Sequence, residues 1–117
     1  MNQVARLRDI AYARSGDKGS AANIGVIAYT EKGFQFLLDY LSAEKVDHYF
    51  KSMGVTQTVR YELPNLQALN FVLSNILVGG GSRSLRIDAQ GKALGQILLE
   101  MPIEISSDIL NASKRIT

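Results

Sequence analysis

The sequence predicts an α+β fold, an open-faced sandwich with helices on one face of a mixed or antiparallel sheet. The first reason is that segments of helical period lie between segments of period two, and helices placed between strands serve as crossovers resting on a sheet. The second is one strand that alternates so cleanly that its two faces must meet different surroundings, Val55 to Leu63. The third is size: 117 residues give one domain with a modest core and no room for a second.

Taken in order, Arg6 to Ala13 reads as a strand with poor alternation before Ile10 and Tyr12. Arg14 to Asn23, with its small residues and two glycines around Asp17 and Lys18, reads as a loop. Ile24 to Tyr29 is a short, continuous apolar run and is expected as a central strand buried on both faces. Phe34, Leu37, Leu38 and Leu41 follow the i, i+3, i+4, i+7 spacing of an amphipathic helix. A second helix starts at the N-cap Ser42, clasped by Leu41 and Val46, and runs through Tyr49, Phe50 and Met53 to a C-terminal Gly54. His48 lies just off that stripe and reads as a helix-surface residue.

In the strand from Val55 to Leu63 one set of alternate residues faces water or a partner. Pro64 suits a helix start, and Leu66, Leu69, Leu73, Ile76 and Leu77 supply a helical stripe. Asn70 sits at its edge, either as an amide tying down a neighbouring loop or as a ligand contact. Leu85 and Ile87 mark a short strand. Asp88 can then cap a helix through Leu94, Ile97, Leu98 and Met101, with a hairpin at Gln90-Gly91 as the alternative. Ile103 and Ile105 form the last strand, so that residues 1–105 make the domain and 106–117 a weakly specified tail.

Apolar residues at 46% and charged residues at 21% are ordinary for a globular chain and disfavour disorder. The lack of cysteine removes disulfides and thiolate chemistry, and with one histidine no metal site is expected. A net charge of +2 with basic and acidic residues interspersed suits a small anion better than a nucleic acid. No apolar run approaches a membrane span and the N-terminus lacks a signal-peptide core, so a cytoplasmic protein is expected.

Two glycine-rich stretches carry the functional signal. In the first, Arg14, Ser15, Gly16, Asp17, Lys18 and Gly19 combine free backbone N–H groups, a hydroxyl and cations, which suits phosphate or carboxylate, although the spacing of a nucleotide loop is absent. The second, Gly79, Gly80, Gly81, Ser82 and Arg83, has more glycines than a helix stop requires, and Arg83 offers a bidentate partner to an anion. Asp17 and Lys18 are the weak candidates for catalysis, since a carboxylate beside an ammonium permits proton transfer without specifying it.

Arg14 to Gly19 with Ala22 to Ala28, Tyr61 to Leu66 with Ala68 to Leu73, and Gly79 to Asp88 with Gly91-Lys92 resemble, in that order, the small C-terminal domain of acyclic terpene utilisation (AtuA-like) proteins. The likeness covers roughly Val4 to Ile105, with Ser20 standing where the family often has an acidic residue. The resemblance implies a ferredoxin-like fold, a setting in the breakdown of acyclic terpenes and branched acids through acyl-coenzyme A thioesters, and a partner for a domain that in the family usually follows a larger one. It adds Asn23, Asn65 and Asn70 as polar companions of the glycine stretches. The expected role is therefore an accessory or ligand-binding subunit without a cofactor, acting with a larger subunit or as a homo-oligomer on an acyl-CoA or carboxylate. The alternatives are a stand-alone enzyme of hydratase or proton-transfer type, and a structural interaction module.

Overall fold

A computed structural model of the protein describes residues 2–18, 21–75 and 94–115. Gly19, Gly79, Gly80, Gly81, Ser82 and Arg83 lie outside the described residues, as do the strand at Leu85 and Ile87 and the start of the helix expected from Asp88. Strand β1 (Asn2–Arg6) is followed by a 3-10 turn and the hairpin of β2 (Ala11–Lys18) and β3 (Ala21–Ala28), then by helices α1 (Glu31–Tyr40) and α2 (Ala43–Tyr49). A second hairpin joins β4 (Gln57–Leu63) to β5 (Ala68–Ser74). Residues 94–99 form helix α3, and β6 (Pro102–Ser106) and α4 (Ser107–Ser113) complete the described chain. The fold is α+β, consistent with the expected ferredoxin-like sandwich. All described strand pairs are antiparallel, in a four-stranded sheet of order β2-β3-β5-β4 and a two-stranded sheet of β1 and β6.

The core lies on one side of the four-stranded sheet. Ala22, Ile24, Val26, Leu69, Phe71 and Leu73 point into it and meet Phe34, Leu37, Val46, Phe50 and Leu98 from the helices, with Ile103 and Ile105 from β6. The helix start expected at Ser42 is confirmed, its hydroxyl capping α2 through Lys45 N–H, while α1 starts at Glu31, capped by Thr30 through Gly33 N–H, a cap the sequence reading did not single out. Gly54 ends the α2 region in the left-handed conformation, φ 91°. No described helix is long and apolar enough to cross a membrane.

Several expectations are corrected. The strand expected from Arg6 to Ala13 is interrupted: Leu7–Asp9 is a 3-10 turn in which Arg6 N–H donates to Asp9 Oδ2 (2.9 Å) and Ile10 N–H to the Leu7 carbonyl (3.1 Å). Leu7 and Ile10, three apart, are both buried, so the poor alternation recorded a period of three. The loop expected over Arg14 to Asn23 is for the most part a β-hairpin, with Gly16 paired to Asn23 within the ladder. β3 is central as expected, but only its alternate residues are buried, and among the described residues one of its faces has no helical layer.

The helix expected from Pro64 is instead a one-turn 3-10 helix, Pro64–Leu66, closed by left-handed Gln67 (φ 52°), and then a strand. The leucines at 66, 69 and 73 fit a helical stripe, but Leu69, Phe71 and Leu73 also fit a period of two. The backbone groups of β3 and β4 on either side select the strand. The segment expected as a weakly specified tail carries α4, capped by Ser106 and packed on α1 through Ser113 against Gly33.

Candidate functional site

Residues paired directly across an antiparallel ladder share a face, so the register defines the surface opposite the helices. At one end Tyr12, Ile27, Ala68 and Leu63 form a row. The next row is Arg14, Gly25, Asn70 and Tyr61, and the third is Gly16, Asn23, Val72 and Val59. The loop that the sequence assigned to anion binding is thereby resolved into a sheet surface shared by all four strands.

β4 sets the character of this face. Its polar residues Thr58, Arg60 and Glu62 turn toward the helices: Thr58 Oγ1 donates to Asp47 Oδ1 (2.8 Å), and the Arg60 guanidinium donates to the carbonyls of Leu38 in α1 (3.1 Å) and its C-cap Leu41 (3.0 Å) and to Glu62 Oε2 (2.7 Å). Its apolar residues Val59, Tyr61 and Leu63 turn away, onto the open face. Tyr61 remains 53% exposed, and Tyr12 and Leu63 each 41%, a cost that an unaccompanied sheet surface would avoid. Arg60 explains the inversion, because it supplies donors to α1's last carbonyls and must therefore face the helical layer.

Between the apolar residues lies a polar trough made possible by two glycines. A methyl group at Gly16 would sit 3.7 Å from Asn23 Oδ1, and one at Gly25 would sit 3.8 Å from Asn70 Oδ1, so each carboxamide leans over a residue without a side chain. Neither amide, half-buried as both are, hydrogen-bonds to a described residue, and Arg14 at the trough's edge has no ion-pair partner among them. A depression of about 200 Å³ is lined by Ala21, Asn23, Asn70 and Val72. Among the described residues Asn70 ties down no loop, and the trough offers both donors and acceptors beside a cation.

The other sequence candidates divide. Arg14, Gly16, Asn23 and Asn70 come together on the open face. Ser15 does not: its hydroxyl lies on the helix side and accepts the Gly95 N–H at 2.8 Å, holding α3 against β2. Asn65 is exposed in the 3-10 turn at the Leu63 end of the sheet. The backbone of Asp17 pairs with Ala22 and that of Lys18 with Ala21. The chain leaves β5 beside Ala21, which pairs with Ser74, and returns at α3 beside Ser15. Sequence reasoning missed Tyr12, Tyr61, Leu63, Val72 and Gly25. The signal was present in the apolar set of β4, but only the register shows which way that set points.

Displaced titration is found on the helix side. The Thr58 hydroxyl, donating to Asp47, holds that carboxyl below its usual range, helped by Lys51. Burial, with the nearby Glu100 carboxylate, pushes the Tyr49 phenol up. Among the described residues no group of three or more His, Asp or Glu side chains is placed to hold a metal ion. Comparison with curated proteins and with solved structures finds no match to this chain. The family model of the AtuA ferredoxin-like domain does match, over residues 5–104, nearly the whole chain and including every strand of the four-stranded sheet. The chain belongs to the AtuA ferredoxin-like domain family.

Proposed function

We propose that the chain is an accessory binding module whose open sheet face docks a larger protein subunit. The observation that carries this reading is the inverted polarity of β4, which sends Val59, Tyr61 and Leu63 away from the core around two carboxamides with no hydrogen-bonding partner among the described residues. Protein interfaces combine exposed tyrosines and an arginine with a few polar groups that pair across the contact, and the open face has this composition. Asn23, Asn70 and Arg14 would meet backbone carbonyls or a carboxylate of the partner, while Tyr12, Tyr61 and Leu63 bury against its apolar surface. The setting that the family resemblance implies, acyl-coenzyme A chemistry on acyclic terpenes and branched acids, is where such a subunit would work.

A small anion is the second reading, favoured by Arg14 beside the glycine trough. Size weighs against an anion as large as an acyl-CoA. The depression of about 200 Å³ is smaller than the roughly 300 Å³ at which pockets for drug-sized ligands begin, whereas the apolar rows around it run across all four strands.

The test places a photo-crosslinking residue at Tyr61 in the chain expressed in its own cell, with a control at Asp108, exposed on α4. A discrete adduct heavier than two copies of the chain is expected from Tyr61 and not from Asp108, and it should disappear on Arg14→Glu. Adducts from both positions or from neither would end the docking reading. A thermal shift with coenzyme A, acyl-CoAs, phosphate or dicarboxylates that Arg14→Glu abolishes, with no adduct, would replace the partner with a small anion.

A further inference from the structure

On the opposite side of the molecule, α2 and the start of β6 flank an open groove of about 440 Å³ lined by Tyr40, Lys45, His48, Tyr49, Met101 and Pro102, with Ser42 and Glu44 at its polar margin. Its aromatic walls are fixed. Tyr40 stacks on Phe36 at a centroid distance of 5.0 Å, and its hydroxyl accepts the Glu104 N–H at 3.3 Å. Tyr49 donates its hydroxyl to the Ile97 carbonyl at 2.8 Å and packs edge-on to Phe50 at 5.3 Å. Burial keeps that phenol in its neutral donor form to higher pH than usual. A ligand entering here would have no tyrosine to order, which removes one of the ordinary costs of binding.

The basic side chains of the groove are not fixed. Lys45 and His48 are three residues apart on α2, neighbours on one helix face. The Lys45 ammonium rests over the Tyr40 ring at 4.6 Å from the centroid and makes no ion pair with a described carboxylate. Contact with a ring face is a weak resting place for an ammonium that has no carboxylate to pair with. Glu44, exposed at the margin, opposes a second negative charge on whatever binds.

We propose that this groove is a binding site for an apolar or aromatic monocarboxylate, its carboxylate paired with Lys45 and His48 and its ring or chain laid along Tyr49, Met101 and Pro102. The volume falls in the range of small-ligand sites, roughly 300–1,000 Å³. The Lys45 ammonium, with no ion pair among the described residues, selects the anion, the Glu44 carboxylate disfavours dianions, and the wall of Tyr49, Met101 and Pro102 selects a ring or branched chain over a polar one. The site is separate from the open sheet face and does not depend on the docking role proposed for it.

The experiment is a titration of the full chain with phenylacetate, followed by amide chemical shifts in two-dimensional NMR, with phenylacetamide and phthalate as neutral and dianionic controls. Saturable shifts are expected at Lys45, His48, Tyr49 and Met101 and not at Arg14, Asn23 or Asn70. Lys45→Gln, an exposed substitution that leaves the fold intact, should weaken phenylacetate at least fivefold, and phenylacetamide and phthalate should bind at least fivefold more weakly than phenylacetate. Equal binding of phenylacetamide, shifts spread over the open face, no saturable shift at all, or an unchanged Lys45→Gln affinity would each overturn the proposal.

Discussion

The two faces of the four-stranded sheet are built from adjacent residues and have opposite tasks. On the helix face, Ala22, Ile24, Val26, Leu69, Phe71 and Leu73 are almost wholly buried and the polar groups of β4 are all engaged. On the open face the same strands show tyrosines half in water, two carboxamides without described partners and two glycines where side chains would close the trough. The helix face is optimised for its own chain. The open face keeps apolar area and polar groups in reserve, the pattern of a surface completed by something else.

The contrast is most easily broken, or confirmed, with neighbouring pairs of substitutions read by denaturant unfolding. Phe71→Ala should cost about 3–5 kcal/mol, because it empties part of a fully buried site, whereas Val72→Ala, one residue along and on the open face, should cost about 1 kcal/mol or less. Similar losses would show that the open face is covered in the isolated chain.

Next in size is a glycine pair. In Gly95→Ala the new methyl would lie 3.1 Å from Ser15 Oγ and 3.3 Å from Ala13 Cβ, so α3 must shift and a loss of about 1–3 kcal/mol is expected. In Gly16→Ala the nearest atom is 3.7 Å away, an ordinary contact, and stability should stay within about 0.5 kcal/mol while the Tyr61 adduct weakens. A stable fold with an undiminished adduct in Gly16→Ala would remove the trough from the docking surface. Ser15→Ala should cost about 1–2 kcal/mol through the Gly95 N–H left unpaired and should leave docking unchanged, since Ser15 belongs to the helix face.

The smallest effect is one of pH. Asp47 is held below its reference value of 3.8 by the Thr58 hydrogen bond, so its contribution to stability is fully present above that value and is lost as pH falls through the lower folded-state one. Thr58→Val should raise the Asp47 carboxyl in an NMR titration and flatten the melting temperature against pH in that acid range. An unchanged Asp47 titration would show that the contact between β4 and α2 does not form in solution.

Much of the fold is legible in the residues. Ser42 and Gly54 mark the ends of the second helical region because capping is local chemistry. Phe34, Leu37 and Leu41 mark the buried side of α1 because a helix has one period. The failures have a common cause. Leu69 and Leu73 satisfy a helical spacing with Leu66 and a strand spacing with Phe71, and only the unpaired backbone edges of β3 and β4 choose between them. Arg14 to Asn23 carries every mark of a loop, yet Gly16 lies in a ladder, paired across the hairpin with Asn23. The candidate site was half visible: Arg14, Gly16, Asn23 and Asn70 were named, and Ser15 was placed with them although alternation along β2 carries it to the other face.

By itself the sequence determined the class of the fold, the family, the ends of the second helical region and the fact that the strand after Gly54 has two unlike faces. Those features depend on a residue and its near neighbours, or on motifs kept in order along the chain. Tertiary structure alone decided which face of that strand meets the helices. Arg60 reaches the last carbonyls of α1 only from one side of β4, and that contact turns Val59, Tyr61 and Leu63 outward beside Asn23 and Asn70, residues far apart in the chain that pairing across the sheet makes neighbours.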